Sequence, residues 1–258
     1  MADHLLVQIS DVHLSSEGQL FAGTDPRDNL VASLRFLADA GVRPDMVVLT
    51  GDLANAGEPQ CYEDLAGLMD QSAGAIGAEV AYLPGNHDER SAFRTHLLDQ
   101  SPDASPINQT RWHGGLRVVL LDSTAVGQEF GELADETLAY LSDALSTPAP
   151  DGTVVALHHP PLPSPVRPMA QIMLRRPEQL ADVVDGSDVR LIICGHDHHG
   201  MSGTLASVPV WASPATAYQM DVLSTEAVRG LRGCSLSQID LTDAGTTVSV
   251  ITVPLDGQ

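Results

Sequence analysis

Short apolar runs punctuate the chain at Leu5–Ile9, Met46–Leu49, Val80–Leu83, Val118–Leu121, Val154–Leu157 and Leu191–Cys194. Such short apolar runs read as strands. After the first run, Asp25-Pro26-Arg27-Asp28 predicts a helix start, with Asp as cap, Pro at the first helical position and an acid near the positive end of the dipole. Leu30, Leu34, Leu37 and Ala38 then recur at helical spacing until Gly41, which can close the C-terminus. Strand, helix and strand from Leu5 to Leu49 make a βαβ unit with a right-handed crossover. Gln60–Gln71, Asp135–Leu145 and Pro177–Val184 read as further helices, and Ser91–Leu98 as a short one. Beyond His199 only strands are expected, at Val208–Trp211, Ser235–Leu241 and Thr246–Val253, and this end should be antiparallel. Two connections are long. Pro160–Met169 carries five prolines and should be extended, while Ser213–Gly233 holds Tyr218, Met220, Arg229 and Arg232. Substrate selection is expected on these two loops.

Each of five short motifs sits where an apolar run stops or just beyond it. They are Asp11-Val12-His13, Gly51-Asp52, Gly85-Asn86-His87-Asp88, His158-His159-Pro160 and Gly195-His196-Asp197-His198. In open α/β sheets ligands gather beyond the carboxyl ends of the strands, so these loops can converge on one pocket. Taken singly, Asp after a strand is an ordinary cap, and Gly-Asp or Gly-Asn an ordinary turn. Histidine changes that balance, because seven of the ten, at 13, 87, 158, 159, 196, 198 and 199, lie in these motifs. Oxygen and imidazole donors without thiolates suit first-row ions such as Mn, Fe or Zn.

Order, spacing and residue type resemble the metallophosphoesterase superfamily of calcineurin-like phosphoesterases, over most of the chain from Asp11 to His198. Within it the chain looks most like class III cyclic nucleotide phosphodiesterases and the related glycerophosphodiesterases. The stretch Gly51-Asp52-Leu53-Ala54-Asn55-Ala56-Gly57-Glu58-Pro59 and the run His158-His159-Pro160-Pro161 carry that narrower likeness. The resemblance implies an α/β fold, a four-layer α/β/β/α sandwich with two mixed sheets, and two divalent or mixed-valence metal ions. It assigns Asp11, His13, Asp52 and His198 to one ion, and Asp52, Asn86, His158 and His196 to the other. Asp52 would be shared, since a carboxylate can bridge ions about 3.5–4 Å apart. His158 is taken over His159 because the family's ligand lies two residues before Pro160. The nucleophile would be a metal-bridging hydroxide. His87 is implied as general acid or transition-state stabiliser, with Asp88 as the carboxylate that orients it and Asn86, His87 and His198 at the substrate. His159, Asp197 and His199 are expected to support ligands or rim the site, and Asp122 to be structural. His4, His96 and His113 are expected to be exposed or helix-side, without a role. Neither the Asp-Arg-Gly of protein phosphatases nor the metal-binding Tyr of purple acid phosphatases is present, the latter position being Asn55.

Length and composition narrow the setting. A chain of 258 residues with motifs spread across it is expected to form one domain, 1–258, and 43% apolar content fits a globular protein. No stretch approaches the ~20 apolar residues of a membrane span. The first strand begins by Leu5, which leaves no room for a signal peptide and makes cytoplasm the expectation. Cys61, Cys194 and Cys234 are scattered and read as reduced core thiols. A net charge of −21 with no lysine argues against a nucleic-acid polymer as partner. What remains is a small-molecule phosphodiester, with 3′,5′-cyclic nucleotides first, glycerophosphodiesters second, and a metal-binding regulatory module without catalysis as the rival class. A homodimer is left open as the assembly.

Overall fold

The computed structural model describes residues 3–20, 23–224 and 226–255. Along the chain run β1 (His4–Ile9), α1 (Pro26–Asp39), β2 (Met46–Thr50), α2 (Pro59–Ile76), β3 (Glu79–Leu83) and α3 (Arg90–His96). There follow β4 (Gln109–His113), β5 (Leu116–Leu121), α4 (Asp135–Ala144), β6 (Thr153–Leu157), α5 (Pro177–Val184) and β7 (Val189–Cys194). The remainder is β8 (Met201–Leu205), β9 (Val208–Ala212), β10 (Gln219–Met220), β11 (Gly230–Leu231), β12 (Ser235–Thr242) and β13 (Gly245–Thr252).

Two mixed sheets face each other, ordered β13-β12-β1-β2-β3 and β4-β5-β6-β7-β9-β8. Leu6, Val48 and Leu83 from the first sheet meet Val118, Val154 and Ile193 from the second in a core between them. The next residues along the same strands turn outward. Val7, Ile9 and Val47 pack under α1 and α2 with Leu30, Leu34 and Leu65, while Val119, Val155 and Ile192 pack under α4 and α5 with Leu141 and Leu180. The apolar runs are therefore continuous because both faces of each strand are covered, and the layering is α/β/β/α.

Local signals set the elements. The Asp25 carboxylate accepts from the amides of Arg27 and Asp28 at 2.9 and 3.3 Å, capping α1. Gly41 ends it at φ +69°, its N–H on the Ala38 carbonyl at 3.0 Å. α2 runs on to Ile76, beyond the expected Gln71. The expectation of a wholly antiparallel end needs correction. β8–β9 and β12–β13 are antiparallel, but β9 lies parallel to β7. β8 returns the chain so that β9 can extend the second sheet, a placement that depends on an open edge and not on local pattern. β4 was not anticipated either; a Gly114-Gly115 turn joins it to β5, and that pair between two runs was the available signal. The proline-rich connection carries a 3-10 turn at Arg167–Gln171.

Candidate metal centre

β1, β2 and β3 of one sheet and β6 and β7 of the other end at the same place. Backbone bonds knit the loops that leave them. The Asp11 amide donates to Gly51 O at 3.1 Å, His13 to Asp52 O at 2.8 Å, and Gly195 to His158 O at 2.9 Å. The strand ends approach so closely that Gly195 has no room for a Cβ, which would strike Ser10 Oγ and lie 2.8 Å from Asp11 Oδ2. Gly85 is confined in the same way by the Asp52 carboxylate. Beneath the loops Gln8, wholly buried in β1, donates to Thr50 Oγ1 at 2.9 Å and to Cys194 O at 2.7 Å, stitching one sheet to the other. A glutamine inside an apolar strand was the sequence signal for this.

Asp11, His13, Asp52 and His198 form one buried cluster of donor atoms, and His158, His159 and His196 another. Asp52 lies between them. Its Oδ2 is 3.5 Å from His13 Nε2 and 3.3 Å from His158 Nε2, while Oδ1 accepts the His87 amide at 2.9 Å. His158 Nε2 is also 3.2 Å from Asn86 Oδ1 and 3.3 Å from His196 Nδ1. Across the first cluster, the Nε2 atoms of His13 and His198 are 3.1 Å apart.

His158 and His159 differ in what their nitrogens are free to do. His158 Nδ1 donates to Thr50 O at 2.8 Å, so Nε2 faces the cluster. Both nitrogens of His159 are occupied, Nδ1 by Ser123 Oγ at 2.8 Å and Nε2 by Glu129 O at 3.2 Å. The adjacent pair thus divides into a ring that can ligate and a ring that braces the loop.

The carboxylate expected to orient His87 does something else. Asp88 accepts from the amides of Gly85, Leu53 and Ala54 at 2.8, 3.1 and 3.0 Å and from Tyr62 Oη at 3.0 Å, tying the loop after β2 to that after β3. The exposed His87 ring sits instead with Nδ1 2.7 Å from Asn55 O and its face edge-on to His13 at 4.8 Å. Asp88 cannot serve both purposes, because three amides already claim its oxygens. Asp197 receives Ser164 Oγ at 2.8 Å and so pins the proline-rich loop, and Asp122 gathers Ile107, Thr124 and Arg90. Tyr218 is 7% exposed, its ring packed on His198 at 4.4 Å, so it walls the site from behind. His96 on α3 pairs with Glu63 of α2 and His113 is exposed on β4, but His4 is buried, bonded to Asp151 at 3.0 Å.

Electrostatics follow from seven titratable side chains in one buried site. Burial pushes the Asp11 carboxyl up to about 7. Burial works the same way on Asp52, but the charge and hydrogen bond of His158, with His13, hold it well below the usual carboxylate range. For His158, burial is outweighed by Asp52 and Asp11, which raise it to about 9. Burial lowers His13 to about 4 and His196 to about 3, leaving both neutral. Neutral imidazoles, carboxylates and one amide oxygen, with no thiolate, are the donor chemistry of first-row divalent ions, and the residues fit such a group.

A family model for calcineurin-like phosphoesterases matches residues 4–200, a span holding both donor clusters and Asn86. The chain belongs to the calcineurin-like phosphoesterase family. Members of this hydrolytic family use a dinuclear divalent metal centre, and the phosphoesterase described here has two adjoining donor clusters in that role's place. It is 39% identical over 242 residues to a cAMP/cGMP dual specificity phosphodiesterase of Mycobacterium tuberculosis, covering 92% of this chain and 76% of the other. To a glycerophosphodiester phosphodiesterase of Enterobacter lignolyticus it is 31% identical, covering 84% of this chain and 78% of the other. Among solved structures, a dimetal phosphatase from Danio rerio superposes with a TM-score of 0.66 at 15% identity, covering 97% and 99% of the two chains, which shows the shared fold.

Proposed function

We propose that this phosphoesterase is a dinuclear metal-dependent phosphodiesterase acting on 3′,5′-cyclic nucleotides. The observation that carries the metal assignment is the single Asp52 oxygen placed between two imidazoles of different sheets. Asp11, His13, Asp52 and His198 would hold one ion, and Asp52, Asn86, His158 and His196 the other. Bound there, such ions supply Lewis acidity towards phosphoryl oxygens and a water nucleophile acidified to near neutrality. The chain's own residues do the rest. With Nδ1–H donating to Asn55 O, His87 presents Nε2 to solvent, where it can deliver a proton to the leaving oxygen. The Asp52 bond to the His87 amide holds that loop at the edge of the centre.

Preference for diesters is supported by the state of Arg90, the cation of the motif loops. Its guanidinium is already committed to Asp122, Ala104 O and Thr124 O at 2.8–2.9 Å. A monoester brings nearly two charges and calls for such a cation, whereas a diester brings one. The Mycobacterium relative supports the cyclic nucleotide, and the Enterobacter relative makes a glycerophosphodiester the second reading. The test is kcat/KM on metal-loaded protein for cyclic AMP, glycerophosphocholine and phenyl phosphate. Cyclic AMP should lead. A tenfold advantage for the monoester, about 1.4 kcal/mol of transition-state preference, would refute the diester assignment.

A further inference from the structure

Building on the phosphodiesterase reading, we infer that the nucleoside of the substrate lies in the groove between the 104–106 and 124–127 segments, over the side chain of Arg90. The proline-rich loop and Tyr218, where the sequence placed substrate selection, are not its seat. Tyr218 has its ring against His198 and is buried. The hollow beside the proline-rich loop is lined by Leu162, Pro163, Pro165 and Met201, and by none of the donor residues. The groove over Arg90 opens directly at Asn86, whose amide oxygen faces His158. It continues past Ala104, Thr124 and Ala125 into a second hollow that shares Arg90 with the first.

Three features fit a flat, uncharged group. Arg90 is held by two hydrogen bonds to carbonyls and an ion pair, and its side chain, 12% exposed, lines both hollows. A guanidinium held this way offers its face for stacking on a base. Val126, 79% exposed, and Ala125 supply an apolar wall. Glu89, Glu132 and Glu136 stand along the groove and would repel a second phosphate, so a neutral nucleoside is favoured over a sugar phosphate.

The test compares Ala125→Gln, which fills the groove from a half-buried loop position, with Ser202→Gln, which fills the hollow beside the proline-rich loop. Metal-loaded enzymes are assayed with cyclic AMP, thymidine 5′-(p-nitrophenyl) phosphate and methyl p-nitrophenyl phosphate, and melting temperature and metal content establish that each variant is folded. Ala125→Gln should lower kcat/KM for both nucleoside esters at least tenfold relative to the methyl ester, through KM, and Ser202→Gln should leave that ratio alone. A parallel fall on all three substrates, or a ratio that moves with Ser202→Gln and not with Ala125→Gln, overturns the groove. If wild-type protein ignores cyclic AMP while Ala125→Gln still costs the thymidine ester its advantage, the groove stands and the cyclic substrate alone is wrong.

Discussion

Asp52 divides its two oxygens between structure and chemistry. Oδ1 holds the His87 loop, and Oδ2 faces His13 and His158. Its backbone shares a further property with four other donors, since Asp11, His13, Asp52, His196 and His198 all have φ between +49° and +72°. This left-handed conformation costs side-chain-bearing residues on the order of 1–3 kcal/mol each. Asp and His tolerate it better than most residue types. These donors lie two residues (Asp11, Asp52, His196) or four residues (His13, His198) beyond the ends of β1, β2 and β7, and all five are buried. Replacing Asp52 with Ala should abolish both metal binding and turnover, read by elemental analysis and by activity. His87→Ala should keep two ions per chain and lose about 10²–10⁴-fold in kcat. That loss should shrink on p-nitrophenyl esters, whose leaving group needs little protonation, and an equal loss on poor leaving groups would remove His87 from the acid role.

Strands carry the site because their opposite ends are held as firmly as the catalytic ends. At the start of β5 the buried Arg117 donates to Asp188 at 2.9 and 3.1 Å, to Thr153 Oγ1 at 2.9 Å and to Thr147 O at 2.9 Å. Asp188 also accepts the Ala149 amide at 2.8 Å. Removing one partner of a buried pair leaves the other charge uncompensated and typically costs about 3–5 kcal/mol. Arg117→Ala should therefore lower the melting temperature by roughly 6–20 °C, at about 2–4 °C per kcal/mol for a chain of this size. Metal stoichiometry at room temperature should be unchanged, since these contacts lie at the far end of the sheet. Loss of metal in a folded variant would show the two ends to be coupled. Closer to the site, Gly195→Ala should weaken metal binding, because a methyl there displaces Ser10 and Asp11; a metal titration matching wild type would contradict this.

At the scale of the molecule, two sheets bring buried carboxylates and imidazoles together, and in metal-free protein protons occupy part of the space meant for cations. Asp11, raised to about 7, and His158, raised to about 9, both hold their protons at about pH 6. Metal binding requires both to be given up, so uptake should release about two protons there, the number falling as pH rises through 7 and then 9, and affinity should climb with pH. Calorimetric titration in buffers of different ionisation enthalpy measures this, and release near zero at pH 6 would contradict it. Sequence alone determined the donor types, their order and the strands that precede them, because strand burial and turn chemistry are local and leave continuous apolar runs ending in Asp, Asn and His. Helix α1 was legible for the same reason, from Asp25 to Gly41. Tertiary structure alone decided that Oδ2 of Asp52 is the atom facing His13 and His158, that both nitrogens of His159 are hydrogen-bonded while His158 Nε2 faces Asp52, that Asp88 serves three amides, and that Tyr218 is wall rather than platform. Each of those outcomes depends on neighbours contributed by distant segments of chain, such as Thr50 for His158 and Ser123 for His159, and no local pattern records which hydrogen bond a side chain will find across a packed interface.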